Sequence, residues 1–267
     1  IYLQINTEHL MYQTLANDLD DVYIKSMKLI KEHCKSKKIN TQLSQLMLLE
    51  IVMDSYIFSN RYLGNPPKKS IPTVMMFPSG GTKFYVPLPH YYRTVKHIDT
   101  KYFKRQDDVD LVVFGIPPIT KQQFNKELFA MVNVLPNGRS AIFSVSLPII
   151  SQEMLIVLDI LRRNSVIMIL HKSLLWNIKK PLIFVEIIKY YGWQGIDRRD
   201  RDVLCDIFNG KNIEKEYTSD TLYGVSLEII KFQEICAQTQ KNMLGFILSG
   251  KKDEDNTLST NWIKMFG

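Results

Sequence analysis

From residue 8 to residue 35 apolar side chains return at roughly helical spacing, as Met11, Leu15, Leu19, Val22 and Leu29. A second such run, with Leu43, Leu46, Met47, Ile51 and Met53, covers residues 41–62, and the two together predict a helical pair. The break Lys35-Ser36-Lys37-Lys38 followed by Asn40-Thr41 supplies a polar turn and an N-cap. Gly64-Asn65-Pro66-Pro67 ends the second helix, because proline cannot continue one. Past Gly64 the pattern changes to short β-rich runs at 73–77, 111–115, 141–147, 166–170, 182–188, 203–207 and 245–248. Helical patterns at 121–132, 151–163 and 226–239 lie between them, the last two opening on Ser151 and Ser226 as N-cap residues. Strands alternating with helices predict an α/β domain with a mainly parallel sheet covered on both faces and ligands at the carboxyl ends of its strands. The expected organisation is a helical element over residues 1–65 and one large domain over residues 70–267.

A chain of 267 residues, 45% hydrophobic and 23% charged, can bury a full core and is expected to fold as a soluble globule. No apolar run approaches the roughly 18–20 residues that cross a bilayer, and the amino terminus, starting at Ile1, lacks the order of a signal peptide. Cys34, Cys205 and Cys236 are odd in number and far apart, which argues against a disulfide framework or a zinc site and fits a reducing, intracellular compartment. The net charge of +7 favours a polyanionic partner, moderated by 27 acidic residues.

Several segments could carry chemistry. Ser79-Gly80-Gly81 lacks the spacing of a phosphate loop and reads as a plain turn. The stretch His90-Tyr91-Tyr92-Arg93 to Lys101-Tyr102-Phe103-Lys104-Arg105 interleaves aromatics with bases, so rings can stack on nucleobases while Arg93, Lys96, Lys101, Lys104 and Arg105 meet phosphates; a solvated connection is the other reading. Asp197-Arg198-Arg199-Asp200-Arg201-Asp202 alternates in sign, which weakens it as an anion site and suggests a solvated loop or a salt-bridged interface. The five histidines show no metal spacing, and no nucleophile and base can be paired.

The segment Asp110-Leu-Val-Val-Phe-Gly-Ile-Pro-Pro-Ile119 is a buried-looking strand running into a Pro-Pro turn. With His97-Ile98-Asp99-Thr100-Lys101-Tyr102 before it, it resembles the catalytic region of the adenine-N6 methyltransferase family that includes the eukaryotic mRNA-methylating heterodimer and the ciliate DNA-methylating complex. Three later blocks are similar to the family in order and spacing: residues 135–143, residues 169–176, and the terminal run from Leu227 through Leu244-Gly-Phe-Ile-Leu-Ser-Gly250 to Asn261-Trp262-Ile263. The resemblance covers roughly residues 70–267 and implies a Rossmann-like methyltransferase fold.

The departures carry the functional expectation. Active members place Asp-Pro-Pro-Trp at the turn, the carboxylate and a proline carbonyl holding the target amine while the ring stacks on the base. Here the turn reads Ile116-Pro117-Pro118-Ile119. Where the family binds S-adenosylmethionine with a His-Asn-x-Arg stretch and a terminal Asn-Gln, this chain has Lys251-Lys-Asp-Glu-Asp255 and Lys264-Met-Phe-Gly267; the acids disfavour the cofactor carboxylate. The resemblance therefore implies a non-catalytic subunit. Such a subunit binds no cofactor itself, buttresses an active partner that holds S-adenosylmethionine, helps bind nucleic acid (DNA before RNA) and resides in the nucleus. Its amino-terminal helices either dock a further subunit or cap the domain's own sheet. Two other readings stay open. One is a ribose 2′-O-methyltransferase, for which Lys172 and Glu186 fit two members of a Lys-Asp-Lys-Glu tetrad and the other two members are missing. The other is a stand-alone nucleic-acid-binding module.

Overall fold

A computed structural model describes residues 20–36, 43–55, 74–77, 95–97, 109–116, 119–146, 151–173, 175, 182–211, 213, 226–236, 238, 263 and 264. Helices α1 (Asp20–Ser36) and α2 (Leu43–Asp54) come first. They are followed by β1 (Val74–Met76), β2 (Val95–His97), β3 (Leu111–Phe114), α3 (Lys121–Val134), β4 (Arg139–Ser146) and α4 (Gln152–Arg163). Then come β5 (Ser165–His171), β6 (Leu182–Tyr190), a single 3₁₀ turn at Trp193–Gly195 and α5 (Arg198–Phe208); residues 226–236 are helical again.

The strands form one six-stranded sheet in the order β2-β1-β3-β4-β6-β5. β1, β2, β3 and β4 pair in parallel, with α3 and α4 carrying the chain from β3 to β4 and from β4 to β5. β6 runs antiparallel to both of its neighbours, so the sheet is mixed, mainly parallel with one reversed strand. The reversal has a local cause. Parallel neighbours need a crossover of a dozen or more residues, usually a helix, and the stretch between β5 and β6 is shorter than that. β3 and β4 are buried almost throughout, and β6 is buried at every position but Lys189, which explains why apolar residues dominate them without a two-residue alternation.

A second difference concerns residues 203–207, read as a strand from their apolar run. They lie in α5, where Val203, Leu204 and Ile207 follow helical spacing and face the core, while Asp197 caps the helix by accepting from the N–H of Asp200 at 2.9 Å. The alternating charges at 197–202 are therefore the cap and first turn of a helix rather than a loop. The salt-bridged half of that expectation holds: Asp200 is buried and accepts from both Nη atoms of Arg163 at 2.7 and 3.1 Å, and Arg163 Nε also reaches Asp159 at 3.0 Å, which ties α4 to α5.

Side chains from α1 and α2, including Met27, Ile30, Leu46 and Val52, belong to the same apolar core as the sheet. No helix among the described residues is long and apolar enough to cross a membrane. The predicted strand at 245–248, the Ser79-Gly80-Gly81 turn, and the cofactor-site departures at 251–255 lie outside the described residues, as does the helical pattern before Asp20.

Candidate functional site

The parallel strands β3 and β4 end side by side, and their carboxyl ends open into a cleft of about 300 Å³. Its walls include Gly115 and Ile119 from the β3–α3 connection, Phe124 from α3, Ser144 from β4, and Met154 and Val157 from α4. This is where the strand–helix alternation places a ligand.

Local chemistry fixes the turn that forms the cleft. Gly115 has φ +65°, and a Cβ there would stand 2.6 Å from the Phe124 ring, so both conformation and space call for glycine. Its N–H donates to Glu127 Oε2 at 2.9 Å, and its carbonyl accepts from the Ser144 hydroxyl. The second Glu127 oxygen accepts from Gln123 Nε2 at 3.0 Å. Thr120 then caps α3, its hydroxyl accepting from Gln123 N–H at 3.1 Å, and Ser151 caps α4 in the same way from Met154 N–H at 3.4 Å. Phe114 stacks on Phe143 at 4.9 Å and packs the floor beneath.

Of the degenerate motif, Ile116 is 2% exposed and turned into the core, and Ile119 packs against the core while lining the cleft. Pro117 and Pro118 lie outside the described residues. Glu153 is the only carboxylate among the described residues lining the cleft, and it is paired with Lys121 at 2.9 Å across the rim. The cleft therefore offers apolar walls and a few hydroxyls, which suits a flat or apolar group, and its one carboxylate among the described residues is held by Lys121.

Of the expected nucleic-acid residues, Lys96 alone falls among the described residues. Lys96 lies in β2, the strand that ends the sheet order on the β1 side; Arg93, Lys101, Lys104 and Arg105 lie outside the described residues.

At the other flank of the sheet the structure assembles a buried polar cluster that the sequence did not disclose. Glu186 of β6 is fully buried and meets His171 Nε2 at 2.7 Å; Ser173 donates to Glu50 of α2 at 2.7 Å and accepts from Leu175 N–H at 2.9 Å. Burial pulls the Lys172 ammonium below its ordinary range, opposed by neighbouring Cys236. The signal was present in one form: Glu50 and Glu186 are single acids inside apolar runs, which a fold tolerates only with a partner. Among the described residues no group of three potential metal ligands occurs.

No protein-family model matches this chain, and no curated protein matches it.

Proposed function

We propose that this chain is the catalytically inactive, methyltransferase-like subunit of an adenine-N6 methyltransferase complex, in which it scaffolds an active partner and helps to bind nucleic acid, DNA before RNA. The observation that carries the reading is the end of β3. A strand–turn lies at the carboxyl end of a parallel strand, beside a cleft of the right class, and an apolar, core-buried Ile116 stands where the resemblance calls for a carboxylate. The Rossmann-like expectation draws support from the parallel run β2-β1-β3-β4, with α3 crossing over from β3 to β4, and the reversed β6 is compatible with it. On this reading S-adenosylmethionine is held by the partner subunit, the complex is nuclear, and the α1–α2 pair is open to a further subunit.

Three measurements test it. Calorimetry of the purified chain with S-adenosylmethionine, run beside an active family member, should give no heat up to about millimolar cofactor, and affinity purification from cells should bring down a catalytic methyltransferase. Saturable binding in the micromolar range overturns the inactive-subunit reading. Charge reversal at Arg93, Lys96, Lys101, Lys104 and Arg105 should weaken nucleic-acid binding by the assembled complex and flatten its salt dependence; an unchanged slope removes those residues from the interface.

One observation favours a second reading, an active ribose 2′-O-methyltransferase: Lys172, whose burial shifts it toward the neutral amine that activates a hydroxyl. Glu186, its expected companion, is bonded to His171 instead. Methyl transfer to capped RNA by the isolated chain, abolished in Lys172→Ala, would establish this alternative.

A further inference from the structure

At the end of the sheet opposite the cleft, the chain leaves β6 through Lys189-Tyr190-Tyr191-Gly192-Trp193 and enters α5 at Arg198. The two tyrosines diverge. Tyr190 is buried, donates its hydroxyl to the Val132 carbonyl at 3.1 Å, and accepts from Gly138 N–H at 2.7 Å through its own carbonyl. Tyr191 is 41% exposed, and its N–H is tied to the buried Asn164 carbonyl at 2.9 Å. Lys189, just before them, holds a left-handed φ of 52°, a conformation that a residue with a Cβ adopts only when its surroundings impose it. Gly192, with φ 77°, then turns the chain back, and Gly195 lies so close to Tyr191 that a Cβ would stand 2.8 Å from that of the tyrosine. The backbone of the turn is thereby fixed on both sides of Tyr191, so little backbone ordering is left for a ligand to impose.

The cation beside it is also oriented. The Arg201 guanidinium lies 6.0 Å from the Trp193 ring centroid, within cation–π range. The alternating charges of residues 197–202 are sorted by the fold. Asp200 points inward to Arg163, and Asp197 has one oxygen engaged on the helix amino terminus. Arg198 is 91% exposed and only 3.9 Å from Asp202, the acid left beside it on the outer surface. On the outer surface Arg198 and Arg199 stand with Asp197 and Asp202, while Arg201 is half-buried and Asp200 is withdrawn from solvent.

We propose that this turn, Tyr191 and Trp193 with Arg198 and Arg201, is a stacking site for single-stranded nucleic acid. An exposed, backbone-fixed ring accepts the face of any base, while the two guanidiniums lie within one helical turn of each other, suited to backbone phosphates. Bases in a duplex keep their faces covered, which selects the single strand. The inference rests on the nucleic-acid part of the reading above and is separate from residues 93–105 and from the methyltransferase partner.

The test titrates the full chain with labelled oligothymidylate and oligouridylate, following anisotropy and tryptophan emission, with duplex of the same length as competitor. Saturable binding that duplex competes for poorly is expected. Tyr191→Ala should weaken it roughly tenfold and Tyr191→Phe should restore it, as stacking of about 1–3 kcal/mol per base requires. Arg198→Glu with Arg201→Glu should lower the salt slope, and Trp193→Phe should remove most of the emission change. Asp202→Asn should tighten binding slightly. Circular dichroism and the urea midpoint check that each variant is folded. Wild-type binding that all these variants retain overturns this site and leaves the nucleic-acid role of residues 93–105 standing, as does equal affinity for duplex. No binding by the wild type overturns the site and the nucleic-acid role of the isolated chain, while partner capture reads the scaffolding role separately.

Discussion

The two ends of β4 solve different problems. At its carboxyl end, in the cleft, polar groups are engaged within the protein: Gly115 by Glu127 and Ser144, Lys121 by Glu153. At its amino end Asp200 is buried on Arg163 and Asp110 pairs with Arg139, while Tyr191 and Arg198 are left facing solvent beside Asp202. The end where an α/β sheet conventionally works is thus held for structure, and the other end keeps exposed groups that a polyanion can meet. On the proposed inactive-subunit reading, the first arrangement keeps the fold and the second supplies a binding surface.

The sharpest way to break this contrast is to reinstate a carboxylate at the cleft. Ile116→Asp places an acid in the core with no partner provided, and it should cost about 4 kcal/mol in urea unfolding without conferring methyl transfer. Preserved stability with new cofactor-dependent activity would mean that the turn is a live site one residue short of function. At the other end, Arg163→Ala removes the base between Asp159 and Asp200 and should cost roughly 3 kcal/mol; a loss under about 1 kcal/mol would show that Arg162 and water suffice for the two acids. Glu127→Ala, which leaves the buried Gly115 N–H without its acceptor, should cost about 2 kcal/mol by the same assay.

The smallest effect is a pH dependence. Burial pushes the thiols of Cys34 and Cys236 from an ordinary 9.0 up to about 11, with Lys172 drawing Cys236 partly back, and burial also raises the Tyr190 phenol. The unfolded chain therefore releases these protons first as pH rises. It then binds fewer protons than the native state, and stability falls from about pH 9 to about pH 11. Lys172, whose pKa is lowered by burial, acts in the opposite sense up to its ordinary 10.5, but three acids outnumber one base. The urea midpoint should decline over that window, less so in Cys236→Ala, and Cys205, the most accessible of the three thiols, should react first with a disulfide reagent. A flat midpoint would contradict the burial of these groups.

Much of the fold was legible in the sequence because hydrophobic period and caps agreed. The strand patterns at 111–115, 141–147, 166–170 and 182–188 match β3 to β6 within a residue or two, and Ser151 caps α4 as its position suggested. The errors have physical origins. Residues 203–207 form an apolar run too short to separate a strand from the buried side of a helix, and the direction of β6 depended on noticing that no helix fits between it and β5. β2 has only three residues inside an aromatic and basic stretch, where alternation has no room to develop. At the candidate site the turn and its glycine were readable from the chain. The Glu127 and Ser144 bonds that hold Gly115, and the meeting of Glu50 with Ser173 across 123 positions, depend on tertiary contact and leave no local trace.

The reversed strand has a consequence for synthesis. β4 is buried along most of its length and pairs on one side with β3, which precedes it, and on the other with β6, which follows only after α4 and β5. A nascent chain that has emerged only as far as α4 therefore exposes an unpaired hydrophobic strand edge, the kind of surface that recruits neighbouring chains or a holding chaperone. Ribosomes stalled between α4 and β6 should yield chains that aggregate, and release past Tyr190 should end that vulnerability.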